Sequence, residues 1–293
     1  MNNGNIKRTY KDSLFRMIFR EKKELLSLYN AINSSDYSDP ELLEVNTIED
    51  VLYMGIKNDI SFLISDYLNL YEVQSTWNPN MPLRGVFYFS QLYQGYVAEH
   101  EWDLYGSRLL TLPTPKYIVF FNGTKEIGER MEVRLSDAFF GHGSDAPALE
   151  CTATYLNINY GHNQELMSQC KKLREYSFLI DRIRKELALN RTLKDAVDAA
   201  VQYCISHKIL DKFLRKHRTE VTDMILTGYA DQLHWKSEKK ISYQEGFNEG
   251  LEAGIQVVIK LFRAQNMPEE EILAQVMKEF SVDKETAEHY MEL

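Results

Sequence analysis

Polar and apolar positions change rhythm twice along this chain. From Asp12 to Ile32, DSLFRMIFREKKELLSLYNAI, apolar residues recur at helical spacing: Leu14, Phe15, Ile18 and Phe19, then Leu25, Leu26 and Leu28. That spacing predicts one amphipathic helix. Asp12 stands at its start, where the helix dipole favours a carboxylate. SSDYSDPE reads as a loop, with Pro40 as its breaker. Glu44 to Met54 reads as a strand. From Asp59 the period shortens to two. Ile60, Phe62 and Ile64 alternate with Asp59, Ser61 and Ser65, the pattern of a half-buried strand. In the next run Leu68, Leu70, Glu72 and Gln74 share one parity, and Tyr71 and Val73 take the other. Both runs are rich in β-branched and aromatic residues. Ser65-Asp66 supplies a turn between them. With that turn, Asp59 faces Glu72 across a hairpin, and Gln74 points to the same side as Glu72. A different turn or a bulge would move the pairing.

Beyond the NPNMP turn cluster, Leu83 to Ala98 reads as a helix despite two glycines. Its spacing puts Arg84, Tyr88, Gln91 and Gly95 on one face. KYIVFF, Lys116 to Phe121, is a near-continuous apolar run between turn residues, which predicts a central, fully buried strand. Asn122, in FFNG, reads as a turn residue. Arg130 to Leu135 and Thr152 to Asn159 read as further strands, with GHGSDAP as a loop between them. From Asn163 the rhythm is helical, with helices expected over 163–189, 192–206, 208–217 and 218–229. Lys236 to Lys240 reads as a polar linker. Tyr243 to Gln265 then forms a long helix, followed by two short ones after Pro268 and near Asp283.

The length and composition change this picture little. A chain of 293 residues can bury one large core or two moderate ones. No apolar run approaches the roughly 20 residues needed to span a bilayer. The first residues, MNNGNIKRTYKDS, lack the apolar core of a secretory signal. Cys151, Cys170 and Cys204 are odd in number and far apart, which fits neither a zinc site nor a disulfide framework. The expectation is a cytoplasmic protein with no membrane partner.

Charge adds more. The net charge of −9 argues against a simple nucleic-acid coat. Its distribution is uneven, however. Residues 171–194 hold eight basic residues against three acidic, and Met267 to Leu293 holds eight acidic against two basic. Residues 1–30 are also basic, seven against three. Basic segments could line a phosphate track while the acidic tail stays away, or they could be solvated helix faces.

The hairpin carries the chemistry. Directly opposed Cβ atoms in an antiparallel pair lie about 4.5–5.5 Å apart. Two carboxylates that close repel unless one is protonated or a cation sits between them. The histidines show no H-x-x-x-H or H-E-x-x-H spacing, so a histidine zinc site is not expected. Gly246, Gly250 and Gly254 recur every fourth residue in the tail. No strand precedes them and the G-x-x-x-x-G-K-[ST] order is missing, so they do not form a phosphate loop. They could form a close-packing helix face that joins copies in a homo-oligomer, or a flexible spacer.

The segments DSLFRMIF, KNDISFLI, LNLYEVQST, NPNMPLRGVFYF, PTPKYIVFFNG, NINYGHNQELM and the EG-rich tail, in this order, resemble the Rpn group of recombination-promoting nucleases and transposases, within the PD-(D/E)XK nuclease superfamily. The resemblance spans most of residues 10–260. It implies an α/β fold with a restriction-endonuclease-like mixed sheet flanked by helices, followed by a helical C-terminal region. The organisation it suggests is a nuclease-like core over 1–160, a helical extension packed on the core over 161–235, and a helical tail over 236–293. It implies metal-dependent hydrolysis of DNA in recombination, transposition or phage defence. Asp59 and Glu72 match the family's metal ligands for Mg²⁺ or Mn²⁺, which prefer oxygen donors. Gln74 takes the place of the superfamily's usual lysine, as it does in the Rpn group. A neutral amide can orient water but cannot offset charge. Asp12 would be an accessory acid, and Arg84 and Tyr88 would contact the phosphates of nucleic acid. Helix-turn-helix and zinc-finger signatures are absent, so weak sequence specificity is expected. The alternative is a catalytically weak or inactive nuclease fold that binds nucleic acid or assembles with partners.

Overall fold

The computed structural model describes residues 10–45, 59–140 and 146–292. The N-terminal residues, most of the strand expected over Glu44 to Met54, and most of GHGSDAP lie outside them. Two compact units divide the chain, 1–229 and 230–293.

The first unit is built on a six-stranded mixed sheet in the order β1-β2-β3-β4-β6-β5. The strands are β1 (Glu44–Val45), β2 (Ile60–Ile64), β3 (Tyr67–Gln74), β4 (Thr114–Phe121), β5 (Arg130–Arg134) and β6 (Thr152–Asn157). β2 and β3 form the expected antiparallel hairpin. Ile60 pairs with Tyr71 and Ile64 with Tyr67, the register that brings Asp59 opposite Glu72. Ser65 takes a left-handed backbone at φ 50°, which closes the turn. β4 runs parallel to both β3 and β6, so three strands end at one edge of the sheet. β4 is central, as its apolar run predicted, and is buried from Tyr117 to Phe121.

Helices cover both faces. On one face α1 (Tyr10–Ile18), α2 (Lys22–Asn33), α5 (Lys171–Ala188) and α6 (Leu193–Ser206) pack their apolar sides on Phe62, Tyr71, Val73 and Phe120. On the other, α3 (Met81–Glu99) packs Met81, Tyr88, Phe89 and Leu92 against Leu68, Leu70, Tyr117 and Val119. β2 and β3 are therefore buried from both sides, not half-buried. Their period-two alternation separates two cores, not a core from solvent. Gly85 lets α3 lie close to the sheet, since an added Cβ would stand 2.7 Å from the Tyr117 ring and 2.9 Å from Cys151 Sγ.

Three helical expectations change. The single helix over 12–32 is two, separated by a turn at Phe19–Glu21. The stretch 163–189 is also two, α4 (Gln164–Gln169) and α5, divided at Cys170. Residues 236–240 are not a linker but part of α8 (Arg218–Ala264). α7 (Asp211–Lys216) precedes it.

The second unit has its own small core. Ile255 and Ile259 pack with Ile272 and Val276 of α9 (Glu269–Phe280) and Ala287 of α10 (Lys284–Glu292). Gly246 and Gly250 have no atom within 4 Å of an added Cβ, and Gly254 approaches Phe280. Among the described residues no helix is long and apolar enough to cross a membrane.

Candidate functional site

The hairpin delivers Asp59 and Glu72 to one buried point. Asp59, immediately before β2, is 6% exposed, and Glu72, on β3, is 2% exposed. The Asp59 N–H donates to Glu72 Oε1 at 3.0 Å. In return Asp59 Oδ2 accepts the Val73 N–H at 2.9 Å. Burial, and then the charge of Asp59, push the Glu72 carboxyl well above its ordinary range, and Asp12 adds to the effect. Arg84 opposes it. Its Nη2 donates to Glu72 Oε2 at 3.0 Å and to Tyr88 Oη at 2.6 Å.

That ion pair follows from α3. Arg84 and Tyr88 lie one turn apart on the face turned to the sheet. Burial alone would lower the Arg84 pKa, but Glu72, Tyr88 and Tyr117 together outweigh it and the guanidinium is held charged. The Tyr88 hydroxyl is raised by burial and then by Glu72, so it stays protonated. Tyr117, next to this corner on β4, is raised by burial and Glu72 in the same way. Arg84 is thus the counter-ion of the carboxylate pair.

The other residues expected from sequence also converge here. Asp12, on the first turn of α1, is buried and close enough to Glu72 to raise its pKa. Gln74 ends β3, half-buried, and its carbonyl accepts the Asn122 N–H at 3.0 Å. The Gln74 side-chain amide has no hydrogen-bond partner among the described residues, which leaves it available to a ligand.

Sequence reasoning missed the residue that ties this edge together. Asn122 is not a simple turn residue but is 2% exposed. Its Nδ2 donates to Tyr176 Oη at 2.7 Å, and its Oδ1 accepts from Ser75 Oγ at 2.9 Å. Its carbonyl accepts from Lys11 Nζ at 3.4 Å and from Arg184 Nη2. No local pattern announces this, because the partners come from α1, β3 and α5.

Hard oxygen donors at this site are Asp59 and Glu72. Among the described residues no group of three or more His, Cys, Asp or Glu side chains gathers as a metal-ligand set. The cysteines offer no reactive thiolate, since burial pushes Cys151 up to about 11 and Cys204 up to about 12. Comparison with protein-family models, characterised proteins and solved structures finds no match to this chain.

Proposed function

We propose that the chain is a metal-dependent nuclease of the PD-(D/E)XK type, related to the Rpn group, that hydrolyses DNA phosphodiester bonds. The observation that carries this reading is the direct opposition of Asp59 and Glu72 on adjacent strands of a mixed sheet with helices on both faces. Arg84 already pairs with Glu72, and the carboxylate donors beside it are oxygen, the chemistry that Mg²⁺ or Mn²⁺ takes.

Two carboxylates supply oxygen donors of the kind such an ion takes. Asp59 and Glu72 would hold it, with Asp12 adding negative charge from α1. Such an ion, when bound, lowers the pKa of water and offsets charge developing on phosphate. The protein's own groups do the rest. Backbone N–H donors fix both carboxylates in place. Gln74 presents an unengaged amide that can orient a water by hydrogen bonds. Arg84 neutralises Glu72 while the carboxylate has no other cation. If Glu72 were engaged elsewhere, the guanidinium would be free to meet a phosphate oxygen, with Tyr88 steadying it.

The test is nicking of supercoiled plasmid in Mg²⁺ by the wild type, Asp59→Ala and Glu72→Ala. Both variants are expected to lose activity, and equal nicking by all three would remove the assignment. The second reading, a nuclease fold that only binds nucleic acid, draws on Arg84 already serving as the cation for Glu72. Calorimetric Mn²⁺ titration separates the two, since binding that does not depend on Asp59 favours the second.

A further inference from the structure

A chain of hydrogen bonds runs from the strand that carries Gln74 to the helix that carries Asp12. It starts at the end of β3. There the Asn122 N–H donates to the Gln74 carbonyl at 3.0 Å, and Ser75 Oγ donates to Asn122 Oδ1 at 2.9 Å. Asn122 Nδ2 donates in turn to Tyr176 Oη at 2.7 Å, and Tyr176 Oη donates to the Lys11 carbonyl at 3.2 Å. The phenol thus accepts one bond and donates one, which fills both its roles. Burial, then the charge of Asp12, raise the Tyr176 hydroxyl well above its ordinary range, so it keeps the proton it donates. Tyr176 and Asn122 are 0% and 2% exposed, so water cannot replace a bond lost between them.

The turn that receives this chain is confined from two more sides. Phe15, one turn further along α1, meets the Tyr176 ring edge-on at 5.5 Å and the Phe120 ring at 5.0 Å. Gly228 of α8 lies against the backbone of Tyr10, where an added Cβ would stand 2.8 Å from the Tyr10 nitrogen. Apolar packing is non-directional, whereas a hydrogen bond to one carbonyl fixes a single register. We infer that Tyr176 is a positioning residue for the carboxylate site: its hydroxyl holds the first turn of α1, and with it Asp12, in register with the strand end that carries Glu72 and Gln74. Asp12 directly follows Lys11, so a shift of the Lys11 carbonyl moves the carboxylate. Tyr176 acts through Asp12 and takes no part in the chemistry. Its consequence for a metal rests on the nuclease reading, but the hold on α1 is tested without one.

The experiment combines hydrogen–deuterium exchange with Mn²⁺ calorimetry on the full chain, using wild type, Tyr176→Phe, Asp12→Asn and the double variant. Tyr176→Phe keeps the ring and its packing on Phe15 and removes only the hydroxyl. In metal-free buffer the amides of residues 10–18 are expected to exchange about tenfold faster, with residues 171–188 unchanged. Mn²⁺ should bind Tyr176→Phe about tenfold more weakly than wild type. In the Asp12→Asn background the same change should leave Mn²⁺ affinity alone while still lowering urea stability. A merely structural tyrosine would weaken Mn²⁺ binding equally in both backgrounds. Exchange over residues 10–18 that matches wild type overturns the hold. Faster exchange with no Mn²⁺ loss, or with a loss that persists in Asp12→Asn, overturns the positioning role. A wild type that binds no Mn²⁺ removes the nuclease reading, and the exchange result alone then decides the hold.

Discussion

Asp59 and Glu72 clasp each other across the hairpin. The Asp59 N–H donates to Glu72 Oε1 at 3.0 Å, and the Asp59 carboxylate accepts from Val73, the residue after Glu72, at 2.9 Å. Each carboxylate is pinned by a backbone donor beside the other. Neither can swing away, so burial first and then the repulsion from Asp59 appear as proton affinity at Glu72.

Stability should therefore depend on pH through Glu72. Burial, then Asp59, raise its folded pKa well above the ordinary 4.5. The folded chain then holds this proton more tightly than the unfolded chain. The sign follows from linkage: stability falls as pH rises from about 4.5 through the raised folded value. Glu72→Gln mimics the protonated form and removes the titration. The two proteins should be similar in urea stability at acid pH, and the variant should gain on the wild type as pH rises. A difference that does not change with pH would refute this account.

Removing the counter-ion should cost more than removing the acid. Arg84→Ala leaves Glu72 buried beside Asp59 with its cation gone, a change of about 3 kcal/mol for a broken buried pair. Adding Glu72→Gln to Arg84→Ala should restore much of that loss, because the uncompensated charge disappears. Mn²⁺ should raise the melting temperature of Arg84→Ala more than that of wild type, since nothing competes for Glu72 Oε2. Chemical denaturation of the single and double variants, with and without Mn²⁺, reads all three.

Gly85 holds α3 against the sheet and so sets the height of Arg84. A Cβ at this position would press on the Tyr117 ring at 2.7 Å and Cys151 Sγ at 2.9 Å. Gly85→Ala should destabilise by about 1–3 kcal/mol as an overpacked core, even though alanine is the better helix former. Gly250→Ala, on the open side of α8, should instead stabilise the second unit by up to about 1 kcal/mol. Thermal melts of the two variants should move in opposite directions.

What the sequence made legible, and what it hid, follow from how far each signal reaches. The hairpin register was readable because the period-two alternation and the Ser65 turn are local and agree. The break between α1 and α2 was not, because Leu14, Phe15 and Ile18 continue in phase with Leu25 and Leu26, and periodicity cannot sense a turn between them. The continuous α8 was hidden by polarity: lysine and glutamate at 236–240 look like a linker but are good helix formers. Asn122 was hidden by distance. Lys11 lies 111 residues before it and Arg184 62 after, so only the folded sheet edge brings them together.

Gln74 offers the sharpest test of the proposed chemistry. It ends β3 two residues past Glu72, half-buried, with an amide unengaged among the described residues. Gln74→Lys would place an ammonium beside the carboxylate pair. Under the nuclease reading this charge stabilises the phosphate as it becomes more negative, and the nicking rate should rise by up to about tenfold, or 1.4 kcal/mol in barrier. The added cation should also steepen the salt dependence of DNA binding by about one phosphate contact. If the site only binds nucleic acid, the second change will appear without the first. A variant in which neither the rate nor the salt slope moves would mean that residue 74 does not face the strand at all.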